Sequence, residues 1–321
     1  MLKQSLGRSA STAVSEIRRV GVVGLGLLGH GIAQEAAAAK FDVIGVDTQD
    51  SMLKSAEKNI HSSISKLNAR KVKKGTMTEV EAAQSLDETM SRLSFAASTS
   101  NLSDCDLVIE AIVENIDIKC KFFKELHTVV KPSAIFASNT SSLKITTMAT
   151  ASTRESQFVG LHYFNPVQLM KLVEVIRTDK TSSSVVDAAR SFAQKCGKRT
   201  VDCIDTPGFV VNRLLVPYIA SAVAMAERRD ASISDIDTAM QLGAGNPMGP
   251  ILLCDYVGLD TTLNILRGWK QEFPHEPAFF VPNALEAKVK AGKLGRKSGE
   301  GFYFWDDGVN STKPTGVSGL E

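Results

Sequence analysis

The sequence predicts an α/β N-terminal domain with a helical insertion, followed by an all-α C-terminal domain. Three observations lead there. Short apolar runs rich in valine and isoleucine recur up to residue 204, alternating with helical patterns. A glycine-rich turn, Gly24-Leu25-Gly26-Leu27-Leu28-Gly29, follows the first run. Beyond the turn signal Asp205-Thr206-Pro207-Gly208, only helical patterns remain.

Each element follows from local pattern. Arg18 to Gly24, with Val20, Val22 and Val23, reads as a buried strand. Gly31 to Lys40 has the alanine-rich pattern of a helix packed closely on a sheet, and Phe41 to Asp47 is a second strand. Together they form a Rossmann-like βαβ unit. Asp50 to Lys74 and Thr78 to Met90 are polar helices and make the insertion. Asp106 to Ala111 and Ala134 to Ser138 are buried parallel strands flanking a helix from Asp117 to Val130. Phe158 to His162 and Leu172 to Ile176 continue the sheet. A helix from Thr181 to Gly197 and a short strand from Thr200 to Ile204 close it. Next come an apolar helix from Phe209 to Glu227 containing Pro217 and a helix capped by Ser234. Helices over Pro250 to Trp269 and Asn283 to Ala291 complete the set. The domains are therefore 17–206 and 207–305, the second supplying an apolar helical surface for a homodimer.

Composition narrows the class. The chain has 321 residues, 43% of them hydrophobic, and a net charge of +2, so no global attraction to nucleic acid or membrane is expected. There is no apolar run long enough to span a bilayer. Cys105, Cys120, Cys196, Cys203 and Cys254 are scattered without a CxxC pair, which reads as reduced thiols and no zinc site. Residues 1–16 are basic, hydroxylated and free of acid before Glu16, as in a mitochondrial presequence; a disordered tail is the competing reading. Residues 306–321 are rich in Gly, Ser, Thr and Pro and read as a disordered tail.

The turn carries the first chemistry. In it Gly24 permits a tight bend, Gly26 lets backbone approach a pyrophosphate, and Gly29 lets helix and strand pack closely. Asp47 ends the second strand, where a carboxylate accepts hydrogen bonds from a ribose and repels a 2′-phosphate. That favours NAD over NADP; a helix-capping aspartate is the alternative. The second chemistry is His162, just after an apolar strand, with Glu174 arriving from the next one. A histidine there can serve as a base near neutral pH, with the acid orienting its ring and stabilising its protonated form; a satisfied core histidine is the alternative. His61, His127 and His275 lie in polar contexts and read as surface residues. Lys66, Arg70, Lys71, Lys73 and Lys74 form a basic series that either meets substrate phosphates or is a solvated helix face.

The segments GLGLLGHGIAQ, EAIVEN, FASNTSSL, LHYFNPV, KLVEVI, DTPGFVVNRLL, GAGNPMGP, DYVGLDTT and GEGFY occur in the order of one family. From Val20 to Trp305 the chain resembles the short-chain L-3-hydroxyacyl-CoA dehydrogenases of mitochondrial β-oxidation. The resemblance implies NAD-dependent oxidation of (S)-3-hydroxyacyl-CoA to 3-oxoacyl-CoA by a homodimer in the mitochondrial matrix. It implies that His162 is the base, Glu174 its partner, and that Ser141 and Asn212 contact the substrate. Cofactor contacts would be Gly24, Leu25, Gly26, Leu27, Leu28, Gly29, Asp47, Glu114, Lys119, Ser141, Asn165 and Lys297. Ser63, Arg70 and Ser141 would contact the coenzyme A substrate. Arg70 departs from a frequent lysine, and His30 from a frequent small residue. A dehydrogenase of free hydroxy acids and a non-catalytic NAD-binding relative are the alternatives.

Overall fold

The computed structural model describes residues 16–306 and 310–316. The chain divides into two compact units, Met1–Phe209 and Val210–Glu321. The first contains, in order, β1 (Arg19–Val23), α1 (Gly29–Ala38), β2 (Asp42–Val46), α2 (Asp50–Lys73), α3 (Glu79–Ser91) and β3 (Leu93–Ala96). It continues with β4 (Leu107–Glu110), α4 (Ile116–Leu126), β5 (Ile135–Ser138), α5 (Ile145–Ser152), β6 (Phe158–Tyr163), β7 (Leu172–Arg177), α6 (Ser183–Lys195) and β8 (Arg199–Ile204). These strands form one sheet of order β3-β2-β1-β4-β5-β6-β7-β8. Every neighbouring pair is parallel except β6 and β7, which run antiparallel. The order reverses between β1 and β4, the place where open α/β sheets hold a ligand beyond their carboxyl ends.

Alternation along the strands divides the core into two layers. Val20, Val22, Leu107, Ile109, Val159 and Leu161 face one way, against α1 and α6. Val23, Val108, Phe136, Phe158 and Ile176 face the other, against α4 and α5, around a fully buried Phe123. Small residues bring α1 close to the sheet: Ala33, Ala36 and Ala37 are almost wholly buried. A Cβ at Gly31 would meet Val167 at 2.8 Å, so α1 also touches the loop after β6.

The second unit packs α7 (Val211–Glu227), α8 (Ile233–Ala244), α9 (Pro250–Val257), α10 (Leu259–Glu272) and α11 (Asn283–Lys290) around one core. It is helix-rich but also holds a hairpin of β9 (Tyr303–Asp306) and β10 (Asn310–Pro314). Residues 310–314, expected in a disordered tail, thus pair with β9, and Thr315 is fixed by bonds to Lys288 Nζ and Gly301 O. The single helix expected over Pro250 to Trp269 is two, because Gly258 takes φ +105° and breaks the ladder. The cap of α8 is Ser232, not Ser234; its Oγ accepts from Asp235 N. Of the presequence expected over 1–16, residues 1–15 lie outside the described residues, as do residues 307–309 and 317–321 of the expected tail. Among the described residues, no helix is long and apolar enough to cross a membrane.

Two buried carboxylates hold the second unit together. Asp237, on α8, accepts from Ile251 N, Leu252 N and the Tyr303 hydroxyl, satisfying the first turn of α9. Gly249 is required beside it, since a Cβ there would lie 2.2 Å from the Asp237 side chain. Asp255 accepts from Phe302 N, Tyr303 N and Trp305 Nε1, tying the hairpin to α9.

Candidate active site

Most of the residues singled out in the first unit lie at or just beyond the carboxyl ends of β1, β2, β4, β5 and β6; Glu174 is on β7, and Ser63 and Arg70 are on α2. At the end of β1, Gly24 has φ +86° and donates its N–H to Val46 O at 2.8 Å. A Cβ on Gly24 would strike Ala111 O at 2.6 Å, and one on Gly29 would strike Gly24 O at 1.8 Å. A Cβ on Gly26 would meet nothing within 4 Å. The fold therefore demands Gly24 and Gly29, while Gly26 leaves open space above the turn. No side chain caps the N-terminus of α1 and no acid lies in its first turn. Its amides fit the diphosphate of a dinucleotide. Leu27 is exposed, Leu28 partly buried and Leu25 buried. His30 Nδ1 lies 2.7 Å from Gly26 O; a carbonyl only accepts, so Nδ1 carries the proton.

Asp47 follows β2. Its Oδ2 accepts from Leu25 N at 2.9 Å and its Oδ1 from Gln49 N at 3.1 Å. It holds the glycine-rich turn against the second strand while remaining partly exposed.

Beyond β4 lies a charged cluster. Lys119, 1% exposed, is 2.6 Å from Glu110 and 3.1 Å from Glu114. Glu114 Oε1 accepts from the Thr140 hydroxyl at 2.5 Å, Ser141 N at 3.1 Å and the Ser142 hydroxyl at 3.3 Å. Burial works against its charge, but the Lys119 ammonium and these donors outweigh it and hold its pKa below the glutamate range. Asn139 Oδ1 accepts from Tyr163 N at 2.8 Å, linking the segment after β5 to β6. Ser141 is thereby fixed by its own amide just beyond the strand that neighbours His162.

His162 and Glu174 are direct cross-strand partners in the antiparallel β6–β7 pair. Period-two alternation puts both side chains on one face of the sheet. His162 Nδ1 and Glu174 Oε2 lie 2.6 Å apart, with His162 4% and Glu174 0% exposed. A carboxylate only accepts, so Nδ1 carries the proton and Nε2 is the basic nitrogen of the neutral ring. The rings of Phe164 and Phe209 lie 4.4 and 5.6 Å from the imidazole. Tyr163 points the other way, into the core, where burial pushes its pKa well above the usual value.

A cleft of about 320 Å³ lies between α2 and the loop after β6. Ser63, Lys66 and Arg70 line one side, Pro166, Gln168 and Leu169 the other. Lys71, Lys73 and Lys74 do not line it and are solvent-exposed. The loop wall is anchored by Lys198 Nζ, which donates to Val167 O and Met170 O. Asn165 is exposed at the start of that loop.

In the second unit, Asn212 is in the first turn of α7 and Lys297 pairs with Asp260 at 2.6 Å. His127, expected at the surface, is half-buried; its Nδ1 accepts from Arg154 Nε at 2.8 Å. The sequence reading missed Glu110, Asn139 and Thr140. Glu110 stood within an apolar strand and the other two within a polar turn. The available signal was charge in a strand otherwise buried on both faces. Among the described residues no cluster could hold a metal ion, and the five cysteines are unlinked.

Residues 19–206 match the family model "3-hydroxyacyl-CoA dehydrogenase, NAD binding domain", and residues 208–305 match "3-hydroxyacyl-CoA dehydrogenase, C-terminal domain". The chain is 47% identical to the mitochondrial hydroxyacyl-coenzyme A dehydrogenase of Sus scrofa, over 94% of this chain and 97% of that one. To the Homo sapiens protein of the same name it is 46% identical, over 92% and 93%. The crystal structure of (S)-3-hydroxybutyryl-CoA dehydrogenase PaaH1 from Ralstonia eutropha superposes with a TM-score of 0.84 at 38% identity. That match covers 91% of this chain and all of the other.

Proposed function

The chain belongs to the 3-hydroxyacyl-CoA dehydrogenase family, and from that premise we propose a division of labour among its residues. The activity is the NAD-dependent oxidation of 3-hydroxyacyl-CoA to 3-oxoacyl-CoA in fatty-acid β-oxidation. The hydroxyl proton goes to His162 Nε2. Glu174, hydrogen-bonded through Nδ1–H, keeps the ring in that tautomer and stabilises the imidazolium. In the reverse direction protonated His162 polarises the ketone and returns the proton. NAD, when bound, accepts the hydride from the same carbon. The observation that carries this reading is the buried 2.6 Å His162–Glu174 bond at the carboxyl edge of the sheet.

The other roles follow. Gly24 to Gly29 and the first amides of α1 hold the diphosphate; Asp47 accepts from the ribose and disfavours a 2′-phosphate. Glu114, with Lys119 behind it, and Ser141 contact the cofactor, and Ser141 also the acyl group. Ser63 and Arg70 receive the coenzyme A part of the (S)-substrate, supported by the cleft they line. For Asn165, Asn212 and Lys297 the support is their motifs.

A homodimer through the C-terminal helices is supported by the second unit's apolar surface. Leu214 and Leu242 are 69% and 84% exposed, and Val210, Leu214, Tyr218, Met240 and Met248 line an apolar groove. The compartment we assign is the mitochondrion, on the names of the pig and human relatives, and within it the matrix, as the family resemblance implies.

NADH oxidation separates the readings. Acetoacetyl-CoA should be reduced and free acetoacetate should not. Comparable turnover of free acetoacetate would favour a hydroxy-acid dehydrogenase, and turnover of neither a non-catalytic relative. His162→Gln should lower kcat by roughly 10² to 10⁴; near-normal turnover would remove His162 from the mechanism.

A further inference from the structure

We propose that Glu110 is a positioning residue for the reaction, acting through Lys119 to place Glu114 and the segment from Ser138 to Ser141. The proposal rests on the reading of Glu114 and Ser141 as contact residues.

Glu110 ends β4 and is fully buried. Its side chain touches three neighbours and its carbonyl a fourth. Its Oε1 accepts from Ile112 N at 2.7 Å, within its own loop, and from Lys119 Nζ at 2.6 Å, on α4. Its Oε2 accepts from the Ser138 hydroxyl at 2.7 Å, at the end of β5. Its backbone carbonyl accepts from Asn139 N at 2.8 Å. One residue thus joins the ends of two strands and the start of a helix, all beside the site.

The charges explain why this matters to Glu114. Two carboxylates share one ammonium, so the trio carries a single net negative charge. Lys119 makes its short bond to buried Glu110 and its longer one to Glu114, whose side chain is 38% exposed. Held from behind at 2.6 Å, Lys119 reaches Glu114 by a longer bond of 3.1 Å. Glu114 stays an anionic acceptor that gathers Thr140, Ser141 and Ser142. The chain of control runs from Glu110 to Lys119, to Glu114, and so to Ser141. A second line runs through Ser138 and Asn139 to Tyr163 N, next to His162.

The bland alternative is that Glu110 only neutralises a buried lysine. A buried pair broken on one side destabilises because it strands a charge, whereas removing both partners does not. Three variants separate the ideas: Glu110→Gln, Glu114→Gln, and the double variant Glu110→Gln/Lys119→Met. Unfolding midpoint and the KM values for NADH and acetoacetyl-CoA would be measured for each. Positioning predicts that Glu110→Gln raises KM for NADH on the order of tenfold, more than KM for acetoacetyl-CoA. The double variant should recover unfolding midpoint yet keep the raised KM for NADH. If the double variant recovers both, or Glu110→Gln leaves KM unchanged while Glu114→Gln raises it, the positioning role is overturned and the Glu114 reading stands. If Glu114→Gln leaves KM for NADH unchanged, the Glu114 reading fails, and with it the route through Lys119. Should Glu110→Gln not fold, the double variant carries the comparison alone. Ser138→Ala, which removes a single bond, should then raise KM for NADH about threefold; wild-type values in both would reject the proposal.

Discussion

Both units bury carboxylates, and they use them in opposite ways. In the first, buried Glu174 faces an imidazole, and buried Glu110 shares a lysine with the more exposed Glu114. In the second, Asp237 and Asp255 accept from backbone amides and from a tyrosine or tryptophan. On the proposed mechanism, the carboxylate that faces the imidazole supports proton transfer. One saturated by amides fixes where the chain goes. The cost of burial is similar in kind; the partner decides whether the result is chemistry or architecture.

The sharpest way to break this contrast is to remove one acid from each unit. Glu174→Gln keeps an acceptor for Nδ1 but loses the charge. It should lower kcat roughly 10²-fold while thermal unfolding shifts little. Asp255→Ala strands three buried donors and should destabilise by about 3–5 kcal/mol in urea titrations, with kcat per folded molecule retained. If the two variants traded phenotypes, the division would be wrong.

A second contrast concerns pH. Glu114 has a lowered pKa in the folded state, so its contribution is full above the ordinary value of 4.5 and is lost as pH falls through the lowered one. For Asp255, burial outweighs the three bonds it accepts and raises the pKa above 3.8. Its contribution is full below 3.8 and declines as pH rises through the raised value. Acid unfolding followed by circular dichroism should thus be less steep below pH 4.5 in Glu114→Gln. In Asp255→Asn the decline with rising pH should disappear. The smallest effect is local: Ser232→Ala removes the α8 cap and should cost about 1 kcal/mol without changing kcat.

Much of the first unit was legible because its signals are short-range. The βαβ context, the glycine spacing and the adjacency of the His162 and Glu174 strands all lie within a few tens of residues. The edge strand β3 was missed because it has only four residues, half-buried, with none of the apolar continuity of the central strands. Helix α5 was missed because Ile145 to Ser152 is two turns rich in threonine and alanine. The break at Gly258 looked like one glycine inside a helix until its φ was known. The roles of Asp237 and Asp255 were invisible because their donors lie up to 66 residues away. Glu110 was invisible for a related reason: its meaning depends on a lysine brought back by the turn of α4.

The three glycines of the first turn have different steric surroundings. Gly24 and Gly29 are fixed by collisions within the chain itself. Gly26 is fixed by nothing in the chain, since the space beside it is open. In a survey of every substitution, losses at Gly24 and Gly29 would register as missing protein. Losses at Gly26 would register as abundant, well-made protein that does not turn over. One motif therefore holds two kinds of glycine: two that the fold requires, and one whose requirement, on the proposed cofactor role, comes from the bound dinucleotide.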